Sequence, residues 1–143
     1  MIRKILLWTL TVLVVLAAAF VGYVYWVNRP LPQNEFDVAI IERTMEILQM
    51  EANWSRTGDR SCEDGGPRLN LYCALRQASL DVTGEFKHRA AALQAVRHAI
   101  EAQNPGVEYA HRLMDYNNDP QTTFTDIQEM LQIALDRLEA SNP

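Results

Sequence analysis

The sequence predicts an all-α protein, with a single N-terminal transmembrane helix followed by a compact bundle of four or five helices. Three observations predict it. Residues 5–27 read ILLWTLTVLVVLAAAFVGYVYWV without a charged side chain. Beyond residue 34, apolar residues recur at helical spacing in one segment after another. No segment alternates apolar and polar residues as a half-buried strand does. The expected organisation is an anchor over residues 1–28, a linker over 29–33 and a soluble helical domain over 34–143.

At about 1.5 Å per residue, a helix over the apolar run would be roughly 34 Å long, slightly more than a hydrocarbon core of about 30 Å. Trp8 near one end and Tyr23, Tyr25 and Trp26 near the other suit the headgroup zones. Arg3 and Lys4 precede the run and Arg29 follows it. The expected location is therefore a bacterial inner membrane, single-pass, with the N-terminus cytoplasmic and the C-terminal domain periplasmic. A cleaved signal peptide ending near Ala17, Ala18 and Ala19 is the competing reading, but the run stays apolar to Val27, where a cleavage region turns polar. Ala18 and Gly22 form a small-xxx-small pair suited to a second membrane helix. The membrane, through residues 5–27, and a protein within it are the expected partners.

Charge narrows the partners further. Residues 34–143 hold 10 basic and all 18 acidic residues, a formal charge of −8. Such a surface repels polyanions, so nucleic acid is not an expected partner.

The prolines of NRPLPQ, residues 28–33, end the first helix. Asn34 is a cap candidate, with Asp37 three positions on, and Ile41, Met45, Leu48 and Ala52 share one face of a helix running to about Trp54. Residues 55–68, SRTGDRSCEDGGPR, form the longest loop. Leu71, Leu75, Ala78 and Val82 mark a helix from about residue 70 to 83, with Gly84 as its stop. Leu93, Val96 and Ile100 mark another over residues 86–103, ended by Asn104, Pro105 and Gly106. A short helix over residues 107–116 gathers Tyr109, Leu113 and Tyr116. Ile127, Leu131, Ala134 and Leu138 mark the last.

Candidate chemistry is sparse. DYNNDPQTTFTD, residues 115–126, places Asp115, Asn117, Asp119, Gln121, Thr123 and Asp126 at the oxygen-bearing positions of a twelve-residue calcium loop. Pro120 stands where that loop needs a glycine, so the stretch reads better as a turn that ends one helix and starts the next. Either Thr123 with Asp126 or Thr125 with Gln128 can supply the capping box. Cys62 and Cys73 can pair outside the cytoplasm, or stand as two thiols. His88, His98 and His111 lack the spacing of a zinc site and read as surface residues. Arg56, Arg60, Arg68 and Arg76 could receive a carboxylate or phosphate, yet Asp59, Glu63 and Asp64 are interleaved with them as partners. There is no GxSxG, Walker loop or GxGxxG, and no cofactor or metal is expected.

Several of these stretches together resemble a family of small bacterial and phage domains of unknown function. They are Trp54, the run Tyr72-Cys73-Ala74-Leu75 with Ala78, the run from Ala90 to Leu93, and YNNDPQTTFTDIQEML at residues 116–131. The resemblance spans residues 36–138 and implies an all-helical fold without a mechanism. The N-terminal run and Cys62 look like additions to the family pattern. The expected function is a membrane-anchored interaction module, an accessory or assembly subunit of a membrane complex. The alternative is an unrecognised enzyme or small-ligand-binding domain gathering Trp54, Arg76, Tyr116, Asn117 and Asp119 near the turn at residues 116–123.

Overall fold

The computed structural model describes residues 2–62 and 66–141, with side chains described from residue 12 onward. Its described residues are all-helical: α1 (Ile2–Asn28), α2 (Phe36–Ile47), a 3₁₀ turn (Glu51–Asn53), α3 (Leu71–Thr83), α4 (Ala91–Gln103), α5 (Arg112–Asn118) and α6 (Phe124–Ala140). The chain divides into two compact units, residues 1–30 and 31–143.

The first unit is α1, whose described side chains are nearly all exposed. At its end Asn28 Nδ2 donates to the Val24 carbonyl at 2.7 Å. No helix among the described residues is long and apolar enough to cross a membrane. The expected transmembrane anchor, its inner-membrane location and its cytoplasmic and periplasmic sides are corrected accordingly. The fold is all-α without a spanning helix among the described residues. The side chains of Arg3, Lys4 and Trp8 lie outside the described residues. Ala18 and Gly22 are exposed, and a Cβ at Gly22 would meet nothing within 4 Å.

The second unit is the bundle. Its centre is made by Ile41 and Leu48, by Leu71 and Leu75 of α3, by Leu93, Val96 and Ile100 of α4, and by Ile127, Met130 and Leu131 of α6, each fully buried. Helix α4 packs on α6, and α2 packs on both α3 and α6. Ala92, Ala95 and Ala99 of α4 and Ala134 of α6 are also buried, so small side chains allow the α4–α6 contact to be close.

Helices this short are marginal alone and depend on their neighbours. Asp37 is fully buried in α2. Its Oδ1 accepts the Ala92 N–H at 2.8 Å, one of the orphan donors at the start of α4, and its Oδ2 accepts the Asn34 N–H at 2.8 Å. Asn34 in turn accepts the Phe36 N–H at 2.8 Å. Gln128 of α6 donates to the Leu48 carbonyl at 2.9 Å, and Asn53 donates to the Ile47 carbonyl at 3.2 Å, so the end of α2 is closed from outside.

Elsewhere the caps are local. Asn70 Oδ1 accepts the Cys73 N–H at 2.9 Å, and Gly84 closes α3 at φ 74°. Thr123 and Asp126 form the reciprocal capping box of α6. The Thr123 hydroxyl and N–H hold the Asp126 carboxyl below the usual carboxylate range.

Two helix starts differ from the expected ones. Helix α4 begins at Ala91 rather than near residue 86, because Asp37 meets the N–H of Ala92 and fixes the entry there. Helix α5 begins at Arg112 rather than 107, where Asp115 Oδ2 accepts the His111 N–H at 2.7 Å.

Two stability predictions follow from these caps. Asp37→Ala leaves a buried N–H at α4 without an acceptor, and urea denaturation should show a loss of about 3 kcal/mol. Thr123→Ala should cost about 1 kcal/mol at neutral pH. Asp126 is depressed in the folded chain, so its contribution exists above its unfolded pKa and disappears as pH falls through the folded value. The cost of Thr123→Ala should therefore shrink in acid.

Candidate functional site

The polar centre of the bundle is Asn117 of α5, which is fully buried. Its Oδ1 accepts the Trp54 indole N–H at 2.8 Å and the Leu71 N–H at 2.9 Å, an orphan donor of α3. Its Nδ2 donates to the carbonyls of Ser55 at 3.0 Å and Arg56 at 2.9 Å. Nδ2 also lies 3.1 Å from Asn118 Oδ1, so one side chain joins α5, the start of α3 and the start of the long loop with its full hydrogen-bonding capacity engaged.

The loop is tied down around this point. Ser55 N–H donates to the Leu69 carbonyl and Leu69 N–H to the Asn53 carbonyl, both at 2.9 Å, forming a parallel bridge between the loop's two ends. The Arg56 guanidinium donates to the carbonyls of Pro120 at 3.1 Å and Thr122 at 2.7 Å, and lies 5.7 Å from the Trp54 ring centroid. Arg68 donates twice to the Trp54 carbonyl, at 2.8 and 3.0 Å. Asn118 donates to the Gly58 carbonyl at 3.0 Å and Asn70 to the Asp59 carbonyl at 3.1 Å. A Cβ on Gly58 would lie 2.2 Å from Asn70 Nδ2, so only glycine permits this approach.

Cys62 and Cys73 are joined by a disulfide with an S–S distance of 2.07 Å and a sequence separation of 11. Closing a loop of that size stabilises a fold by about 2 to 3 kcal/mol.

The residues singled out from the sequence therefore divide. Trp54 and Asn117 are bonded to each other inside the fold. Tyr116 is buried, with its hydroxyl donating to Gln103 Oε1 at 2.9 Å and the Asp126 carbonyl 3.2 Å away. Burial, then the nearby Asp126 carboxylate, push its pKa far up, so Tyr116 stays a neutral phenol. Asp119 accepts the Gln121 N–H at 2.8 Å and lies 3.4 Å from the Tyr109 hydroxyl. Tyr116 and Asp119 border an open cleft of about 420 Å³ that excludes Trp54, Asn117 and Arg76. Arg76 is half-buried on α3.

The oxygens of the calcium alternative are engaged in the same way. Asp115 serves His111, Asn117 serves Trp54 and Leu71, and Asp126 serves Thr123. Among the described residues no three His, Cys, Asp or Glu side chains are grouped to hold a metal. Of the loop arginines, Arg56 and Arg68 are spent on backbone carbonyls. Glu63 and Asp64, their candidate partners, lie outside the described residues.

A different set of side chains converges beside this node. Arg60, Arg97 and Arg112 line one cleft of about 330 Å³, together with His88, His111 and Tyr109. Among its described lining residues there is no carboxylate, although the surrounding unit carries a formal charge of −8. Arg97 is half-buried, and one of its nitrogens donates to the His88 carbonyl at 2.9 Å. Burial, and then repulsion from Arg112, lower its pKa. The carboxylates nearby are Glu101, 3.6 Å from Arg112, Asp115, which accepts the His111 N–H at 2.7 Å, and Asp119, 3.4 Å from the Tyr109 hydroxyl. The wall is aromatic: Tyr72 stacks on His88 with centroids 6.0 Å apart, and Phe86 meets His88 edge-on at 4.7 Å.

Sequence reading missed this cluster, but Arg97 carried a signal. It falls four residues after Leu93 and three before Ile100, so an arginine stands on the face that the apolar stripe buries.

A family model described as a family of unknown function (DUF6197) matches residues 34–137, and the chain belongs to that family. The match lies within the second unit, covers most of it, and includes nearly all of the resemblance read at residues 36–138. No curated protein and no solved structure matches the chain.

The Asn117 node yields the next prediction. Asn117→Ala leaves two N–H donors and two carbonyls without their partner, and chemical denaturation should show a loss of about 3 to 4 kcal/mol. Gly58→Ala should cost about 1 to 3 kcal/mol, because Asn70 must leave its place at the start of α3.

Proposed function

We propose that this member of the family is a binding module whose ligand is a small oxyanion of the phosphate or carboxylate class, held in the cleft of Arg60, Arg97 and Arg112. The observation that carries this reading is three arginines lining one cleft with no carboxylate among its described lining residues. Guanidinium forks match the oxygen pairs of phosphate and carboxylate, and charge-assisted hydrogen bonds of this kind are about twice as strong as neutral ones. Arg97 gains most from such a ligand, since an anion would offset both its desolvation and its repulsion by Arg112. His88 and His111 line the same cleft.

Binding is favoured over catalysis by the state of the other polar groups. Tyr116 is held neutral, and Asn117 has no remaining hydrogen-bonding capacity. Asp37 and Asp126 are committed to helix starts. An interaction role remains natural, with the oxyanion carried by a protein partner or free in solution. The interaction role now rests on the cleft, and a membrane anchor is no part of it.

The test is calorimetric titration of the disulfide-bonded chain with inorganic phosphate, and with acetate as the carboxylate arm. Arg97→Gln should weaken the bound anion at least tenfold while melting within a few degrees of the parent. Arg137→Gln on α6 should leave affinity unchanged. Raising the salt to about 1 M should weaken binding, because ionic screening then acts within about 3 Å. Equal affinity in Arg97→Gln and the parent would refute the reading.

A further inference from the structure

We infer that the Cys62–Cys73 disulfide is a thiol-controlled gate on the oxyanion cleft, because it holds Arg60 in place. The inference rests on the binding role proposed for that cleft. Arg60 comes from the long loop, whereas Arg97 and Arg112 belong to the helical body. The loop's hydrogen bonds to the body run as far as Gly58, tied by Asn118, and Asp59, tied by Asn70. They resume with Arg68, which holds the Trp54 carbonyl. Between these points, among the described residues, the tether is the bond from Cys62 to α3.

Three further observations make that tether decisive for Arg60. Arg60 is exposed, and among the described residues nothing hydrogen-bonds or ion-pairs with its side chain. Among the described residues, Ser61 bonds only to Asp59. Beneath the loop lies a space of about 250 Å³ bordered by Thr57, Asp59, Cys62, Pro67 and Cys73, so packing does not replace the crosslink. Cys62 also stands at φ 40°, in the left-handed region that residues other than glycine rarely adopt. Once the crosslink is cut, Cys62 is free to leave that region, and Arg60, two residues away, is carried with it.

The chemistry balances with a dithiol as the co-reactant. A thiolate of the dithiol attacks Cys62 Sγ, the less buried sulfur, and the S–S bond breaks to release the Cys73 thiolate. The second thiol of the reductant then closes its own disulfide and expels Cys62. Two electrons and two protons pass to Cys62 and Cys73, which end as thiols, and the dithiol ends as its cyclic disulfide. Arg97 and Arg112 stay where α4 and α5 hold them, so the reduced cleft keeps two cations of three.

The test titrates inorganic phosphate into the full chain before and after treatment with dithiothreitol, a neutral dithiol that does not compete for an anion site. Reduction should weaken phosphate about tenfold, the effect of removing one charge-assisted contact. Arg60→Gln with the disulfide intact should show the same loss, and reduction should then change its affinity less than twofold. Helical circular dichroism in both states separates loss of the gate from loss of the fold. If reduction unfolds the chain, the disulfide is a staple of the fold and the gate is overturned, whatever Arg60→Gln shows. Equal affinity of the oxidised and reduced folded chains, or of Arg60→Gln and the parent, overturns the gate and leaves anion binding standing. No phosphate binding by the disulfide-bonded parent overturns both.

Discussion

The constraint on which the second unit depends is the buried amide of Asn117. An amide buried without partners costs several kcal/mol, and this one is placed where four backbone or indole groups need what it offers. No other side chain can substitute. An aspartate has no donors for the Ser55 and Arg56 carbonyls, and a leucine of similar size leaves all four groups bare. Trp54 is fixed by the same contact, and Arg56 lies over Trp54. The long loop therefore starts from a rigid point, and everything downstream, including the position of Arg60, is referred to it.

A second layer of order comes from helices that cap one another. Helices of 7 to 17 residues surround the core, and several of their ends are closed by side chains from elsewhere in the fold. Asp37 closes the start of α4, Gln128 closes the end of α2, and Gln33 donates to the Leu138 carbonyl at 2.9 Å. Such caps couple element to element, since a shift of α2 removes the acceptor that begins α4. Arg97 sits in the second turn of α4, so the cleft inherits its geometry from Asp37.

What the sequence made legible follows from the range of the interactions. Asn70 with Cys73, Gly84, and Thr123 with Asp126 act within a few residues, and their elements could be placed from local chemistry alone. The starts of α4 and the role of Asn117 could not, because their partners lie 55 and 46 residues away. In DYNNDPQTTFTD the polar letters looked interchangeable, yet Asn117 is a buried hub while Asp119 turns a loop at the surface. The apolar N-terminal run shows the converse. Its composition pointed to a spanning helix, while no helix among the described residues is long and apolar enough to cross a membrane. The cationic cleft was illegible because Arg60, Arg97 and Arg112 come from three segments, each of which alone resembles a solvated surface.

The charge of the unit and the charge of the cleft act over different distances. At physiological salt a fixed charge is felt over about 8 Å. A small oxyanion inside the cleft therefore responds to Arg60, Arg97 and Arg112, while most of the 18 carboxylates are screened from it. A long polyanion cannot confine itself to the cleft, and its remaining length meets the acidic surface. The same arrangement that draws in a single phosphate or carboxylate thus rejects nucleic acid. Removing Arg60 changes this balance more than its one charge suggests, because Arg97 is already paired with the His88 carbonyl and Arg112 faces Glu101. Arg60 is the cation of the three with no such contact among the described residues.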